Sequence, residues 1–278
     1  MSVNTFLKTV WEARLLEQYS KASIAEVITT PPTNIEGKTM KFNKAGAVEI
    51  KDYTGAVNWD EVATSAVDVN MDQKKYFAFK VDDVDAIQAA GNLVDGHVAN
   101  AAAGLNEETD SYVLGLYTNA HTDNVIGSDA EPVALTKANV YDYIVDLGTK
   151  LSKKKAPKTD RYVTVNAEVL GLLSKDDRFT RNPQVLDNGV VEGQKINGMQ
   201  VVQSEELAEV DGKLHIVANH KGAIGYGKQV DEMEALRLES SIADGVRGLT
   251  VYGASVIRPE GVAVLTGTVG QQDGGTEE

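Results

Sequence analysis

The segment Val67-Asp68-Val69-Asn70-Met71-Asp72-Gln73-Lys74-Lys75-Tyr76-Phe77-Ala78-Phe79-Lys80-Val81 constrains the fold more than any other part of this chain. Val67, Val69 and Met71 alternate with Asp68, Asn70 and Asp72, so an extended backbone sorts them onto an apolar and a polar face. Tyr76, Phe77 and Phe79 continue with residue types that favour strands. Upstream, Met40, Phe42 and the stretch Val48 to Tyr53 also read as extended chain, and Gly46, Gly55 and polar residues lie between Lys44 and Thr64. The pattern over 37–82 predicts a long two-stranded excursion with a polar tip. A lone hairpin is marginal in water, so a partner surface must supply the burial that this one lacks.

The flanking segments have different periods. Over residues 4–27, Phe6, Leu7, Val10, Trp11, Leu15, Leu16 and Tyr19 recur at three- and four-residue steps, which predicts an amphipathic helix capped by Asn4 or Thr5. Pro31-Pro32 then forces extended chain, leaving that helix on an arm. Residues 83–118 predict a long helix, with Val84, Ile87, Val94, Val98 and Leu105 near one stripe. Gly91, Gly96 and Gly104 either permit close packing or mark a bend. A loop is expected over 120–133. Residues 136–228 read as a compact α/β unit: helix 137–152, a lysine-rich loop, strand Tyr162–Val165, helix 167–174, strands Met199–Gln203 and Leu214–Val217, and a glycine-rich turn. Residues 229–268 return to strand, and 269–278 form a polar tail.

Composition removes several function classes. With no cysteine, disulfides, thiol catalysis and thiolate metal sites are excluded. No apolar run approaches membrane-spanning length, and the acidic residues near the start do not fit a secretory signal. The formal net charge is -14, which repels phosphate, and the one dense basic run, Lys150, Lys153, Lys154, Lys155 and Lys158, reads as a solvated helix end.

No catalytic, cofactor or metal site emerges. Asp68, Asn70 and Asp72 resemble the start of a calcium loop, but Gln73 and Phe79 stand where glycine and glutamate are required. Gly222, Gly225 and Gly227 follow a strand in the order G-x-x-G-x-G, and Lys228 is followed by Gln229 rather than Ser or Thr, so a tight connection is favoured over a phosphate cradle. His97, His121, His215 and His220 lack metal-binding spacing, and His215 reads as structural. Ser255 lacks the final glycine of a nucleophile elbow. Asp82, Asp83 and Asp85 open a predicted helix, where acids favour the dipole.

Four segments together resemble the major capsid proteins of tailed bacteriophages, which share the Johnson fold with herpesvirus capsid floors and encapsulins. They are Phe6 with Trp11-Glu12-Ala13-Arg14-Leu15-Leu16, then Ile50-Lys51-Asp52-Tyr53-Thr54, then Asp72 to Asp85, and Tyr252 to Gly261. The third is the most specific, and the four follow in order along nearly the whole chain. The resemblance implies an α+β fold with an N-terminal arm at 1–36, an extended loop at 37–82, a peripheral domain with its spine helix at 83–135 and return strands at 229–268, and an axial domain at 136–228.

Functionally, the resemblance implies a shell protein of the siphophage type rather than an enzyme. It would assemble with itself as hexamers and pentamers around double-stranded DNA, which it contacts without sequence specificity. A portal protein would occupy one vertex, and a decoration protein is compatible with the family. Because the chain starts almost directly at the arm helix and keeps Met1, a separate scaffolding protein is expected. Some relatives crosslink a loop lysine to a neighbour. Lys38, Lys41, Lys44 and Lys51 lie in the loop region, but nothing picks a partner, so no crosslink is expected. The expected location is the virion, after assembly in the host cytoplasm. Two other readings are an encapsulin-like nanocompartment and a cytoplasmic α/β enzyme with a phosphate-binding turn at 222–227.

Overall fold

The computed structural model describes residues 23–45, 52, 64–82, 92–176, 178–179, 184–185, 190–237 and 243–270. Most of the predicted helix over 4–27, the hairpin tip, Asp83, Asp85 and the polar tail lie outside the described residues.

The described arm ends in a short helix, α1 (Ile24–Ile28), capped by Ser23. Extended chain follows through Pro31-Pro32, as prolines dictate, with Thr30 bridging Gly225. Strands β1 (Asn34–Glu36), β2 (Thr39–Ala45) and β3 (Thr64–Asn70) form an antiparallel three-stranded sheet. Its core holds Met40, Phe42, Val69 and Met71, while Asp68, Asn70 and Asp72 point to solvent, as their alternation predicted.

The extended loop departs from a simple hairpin. Strand β4 (Gln73–Asp82) does not pair with β2. It joins β13 (Ile224–Arg237) and β14 (Ala243–Val256) in a second sheet of order β13-β14-β4. The alternating run breaks at Met71 and Asp72, where Met71 N–H donates to the Lys38 carbonyl at 2.8 Å and the chain changes sheets. Gly253 permits this crossing: a Cβ there would lie 2.5 Å from the Asn70 oxygen and 2.9 Å from Met71 Cα. The 14-residue strands β13 and β14 make a ribbon about 45 Å long.

Helix α2 (Asn92–Leu114) backs that ribbon, packing Ala102 and Leu105 against Phe77, Phe79 and Val246. It runs uninterrupted through Gly96 and Gly104, and a 3-10 turn (Gly115–Asn119) ends it.

The central sheet contains nine strands among the described residues. Its order is β5 (Val125–Ile126), β15 (Val262–Val269), β12 (Lys213–His220), β7 (Arg161–Val165), β10 (Met199–Gln203), β9 (Val190–Ile196) and β8 (Gln184–Val185). In addition, β11 (Glu209–Val210) pairs with β12 and β6 (Val133–Leu135) pairs with β15. Helix α3 (Val140–Lys153) buries Val140, Ile144, Leu147 and Leu151 against it, at the spacing of one helix face. Helix α4 (Ala167–Ser174) follows β7, capped by Asn166.

Two further expectations change here. Val262–Val269 pairs with β12 and β5 rather than with the strands of 229–256, so the nine-stranded sheet draws on both chain segments. The loop over 120–133 contains β5 and leads into β6, both parallel to β15. Such short edge strands carry no periodic signal of their own.

Candidate assembly surface

The segments suspected of chemistry serve the packing instead. Gly222 sits in a 3-10 turn, and Gly225 and Gly227 lie inside β13 rather than in a cradle. A Cβ on Gly225 would lie 2.6 Å from the Phe42 ring, and one on Gly227 would strike the Met40 sulfur, so both glycines admit the hairpin base. Lys228 pairs with Glu26 at 2.5 Å and is held below the usual lysine range by burial.

His215 is buried, stacks on Tyr117 with ring centroids 4.1 Å apart, and bonds the Ala208 carbonyl and Asp129. His220 Nδ1 accepts from Gly222 N–H at 3.0 Å, and its burial depresses its pKa. His121 caps a 3-10 turn, and His97 lies 5.4 Å from Phe79. Ser255 is partly buried in β14 with no His or acid bonded to it among the described residues. No group of three or more His, Asp or Glu among the described residues is placed to hold a metal, and no helix there is long and apolar enough to cross a membrane.

Sequence reasoning missed the polar groups that fix the arm. Asp110, on α2, is 4% exposed and accepts from the N–H groups of Ile24 and Ala25 at 3.2 and 2.8 Å. Burial pushes its carboxyl up to about 6, against the lowering effect of the two N–H groups. At the other end of α1, Asn219 donates to the Ile28 carbonyl at 2.7 Å. Each carboxylate or amide comes from a distant segment, so no local pattern announces it. Arg161 was missed for the same reason. Its buried guanidinium donates to the carbonyls of Pro157, Gly148 and Ala156 and to Ser152 Oγ, closing the end of α3.

The ribbon leaves a surface without a covering layer among the described residues. Phe77 and Phe79 face α2, so Tyr76 and Ala78 face the other way, beside Leu249 and Arg247. Tyr76 is 79% exposed. Arg247 is held by Glu234. Near the hairpin base this same face is covered by Met40 and Val69, which pack with Val251 and Leu249. An exposed aromatic on a half-covered sheet, on the face that β2 and β3 cover further along, is a surface that another protein chain would bury.

Comparison with known proteins accords with this geometry. The model of the phage capsid protein family matches residues 17–269. A search of curated protein sequences gave no match. Among solved structures, a chain from Mycobacterium phage Che8 is 30% identical, with 83% of this chain and 85% of that chain covered and a TM-score of 0.61. The capsid of cyanophage P-SCSP1u is 18% identical, with coverage of 90% and 89% and a TM-score of 0.65. The capsid of Ralstonia phage GP4 is 8% identical, with coverage of 91% and 93% and a TM-score of 0.68. The fold is therefore the α+β capsid fold expected from the sequence, and the encapsulin and enzyme readings are not favoured. This chain belongs to the phage capsid protein family, whose role is structural: it is a major capsid protein that builds a shell from copies of itself.

Proposed function

We propose that the shell is the icosahedral head of a tailed phage, built from hexamers and pentamers and enclosing double-stranded DNA. The observation that carries this reading is the ribbon β13-β14-β4, covered by α2 on one face and presenting Tyr76 on the other. A neighbouring copy supplies the missing layer there. Many modest contacts of this kind add through multivalency, which lets assembly errors anneal. The segment 37–82 grips a neighbour, with β2 and β3 as its stem. The remaining divisions are an arm at 1–36, a peripheral part at 83–135 and 229–268, an axial part at 136–228 and a polar tail at 269–278, with β15 of the return segment built into the axial sheet.

The partners we assign beyond the chain itself are a separate scaffolding protein, a portal at one vertex and DNA held without base contacts, with room for a decoration protein. Assembly takes place in the bacterial cytoplasm. A net charge of -14 suits an inner wall along which DNA slides during packaging. No residue serves catalysis, a cofactor or a metal, and no covalent crosslink forms at Lys38, Lys41, Lys44 or Lys51. Lys41 is instead paired with Glu36 at 2.7 Å.

The test is deletion of residues 44–64. The expected product is a soluble, folded subunit that closes no shells in negative-stain micrographs, while the parent does. Normal shells from the deletion variant would remove the gripping role, and ladders above the monomer on a denaturing gel would overturn the absence of a crosslink.

A further inference from the structure

The central sheet separates charge along its strands. At the end where β7 starts and β12 finishes lie Lys150 and Lys153, in the last turn of α3, followed by Lys154, Lys155 and Lys158. Asp123 answers Lys154 at 2.5 Å and accepts from Lys150 through its carbonyl, but no described side chain pairs with Lys153, Lys155 or Lys158. Beyond the other end of β7 lie Glu205, Glu206, Glu209 and Asp211. Glu206 sits near Glu205 and near Glu107 and Glu108 of α2, and burial together with these like charges holds the Glu206 carboxyl above its usual range. Strand β12, which runs from one end to the other, is eight residues long, so the two ends are about 25 Å apart.

Each end also has a shape. Asp211-Gly212 is a two-residue turn with φ of 52° and 73°, the mirror-type hairpin turn that fits twisted strands. It makes the β11-β12 hairpin a stiff knob with Val210 exposed by 44% between Glu209 and Asp211. Toward the lysine end, Val125 on edge strand β5 pairs with Val264, two residues into β15, and is 38% exposed. It lines a recess of about 650 Å3 together with Ile126, Thr149, Lys150, Lys153 and Lys154. Asp123 and Asp146 also line this recess, and Asp123 is already engaged by Lys154.

We propose that the Glu209–Gly212 knob of one copy seats in the Val125–Lys154 recess of the next, with Val210 against Val125 and the flanking carboxylates against the lysines. The two patches are different and lie at opposite ends of one sheet, so the contact is head-to-tail, and a repeated head-to-tail contact with a fixed rotation closes a ring. Charge complementarity of this kind sets register and speeds encounter. The proposal rests on the shell-building reading and names a contact within it.

The test uses two observations. Reversal by Lys153→Glu or by Glu209→Lys is expected to slow assembly at low salt about tenfold or more, with the subunit still folded by circular dichroism, and the double reversal is expected to restore it. Because the chain has no cysteine, Lys153→Cys with Glu209→Cys adds a single possible disulfide. The two positions lie too far apart within a chain to bond, so oxidised particles should give a ladder of multimers on a non-reducing gel. Single reversals that assemble at the parent rate, or oxidised particles that give only monomer, would overturn the contact. A parent chain that forms no shells at all would instead overturn the shell reading.

Discussion

Asp110 offers a test in which the sign of the effect is diagnostic. Its carboxylate receives two backbone N–H groups from α1, which favours the charged form, yet it is buried, which disfavours it. Burial wins, moving the carboxyl from 3.8 to about 6. A raised native value means that the native state holds its proton where the unfolded chain has lost it. The stability from this proton is therefore fully present below pH 3.8 and is lost as pH rises through about 6. At 1.36 kcal/mol per pH unit, the full effect is roughly 3 kcal/mol, of which roughly 2.5 kcal/mol falls between pH 4 and pH 7. Asp110→Asn cannot titrate. Urea unfolding of the unassembled parent and variant at pH 4 and pH 7 isolates the group, because other carboxylates cancel in the difference. The parent should lose about 2–3 kcal/mol relative to Asp110→Asn on going from pH 4 to pH 7. A difference independent of pH, or a parent that gains on the variant as pH rises, would show that the two N–H groups outweigh burial and would refute this account of the arm root.

Other substitutions probe separate parts of the fold. Gly253→Ala should cost about 1–3 kcal/mol in denaturant unfolding, because backbone atoms of Asn70 and Met71, which cannot rotate away, occupy the space of the new methyl. Arg161→Met should cost about 3 kcal/mol by thermal unfolding, since it strips donors from carbonyls at the end of α3. Tyr76→Ser should leave subunit stability within about 0.5 kcal/mol, as surface changes do, while lowering the yield of shells counted by light scattering.

Much of the element order was legible in the sequence. The helix over 167–174 and the strand Met199–Gln203 form within their expected bounds, and the alternation from Val67 to Met71 sorted its buried and exposed residues correctly. These are local properties: the period of burial and the chemistry of caps and turns act over a few residues. The dipeptides Asn197-Gly198 and Asp211-Gly212, which the sequence reading did not use, both fold with positive φ. The two surface patches proposed to meet between copies were less accessible, because exposure depends on what packs nearby. Val210 and Val125 are unremarkable valines until the fold places them beside opposite charges.

The sequence by itself therefore determined the helix over 167–174, the strand Met199–Gln203, the two-faced alternation from Val67 to Met71 and the lack of thiol chemistry. Only the tertiary structure decided which strands pair. Every strand has the same two-residue period, so period cannot say that β4 leaves β3 for β14, or that β15 returns to β12. The same holds for Gly225 and Gly227, which spell a phosphate-like turn in sequence but are spaces for Phe42 and Met40 in the fold. Glycine specifies only the absence of a side chain, and what fills the absence is settled by residues nearly two hundred positions away.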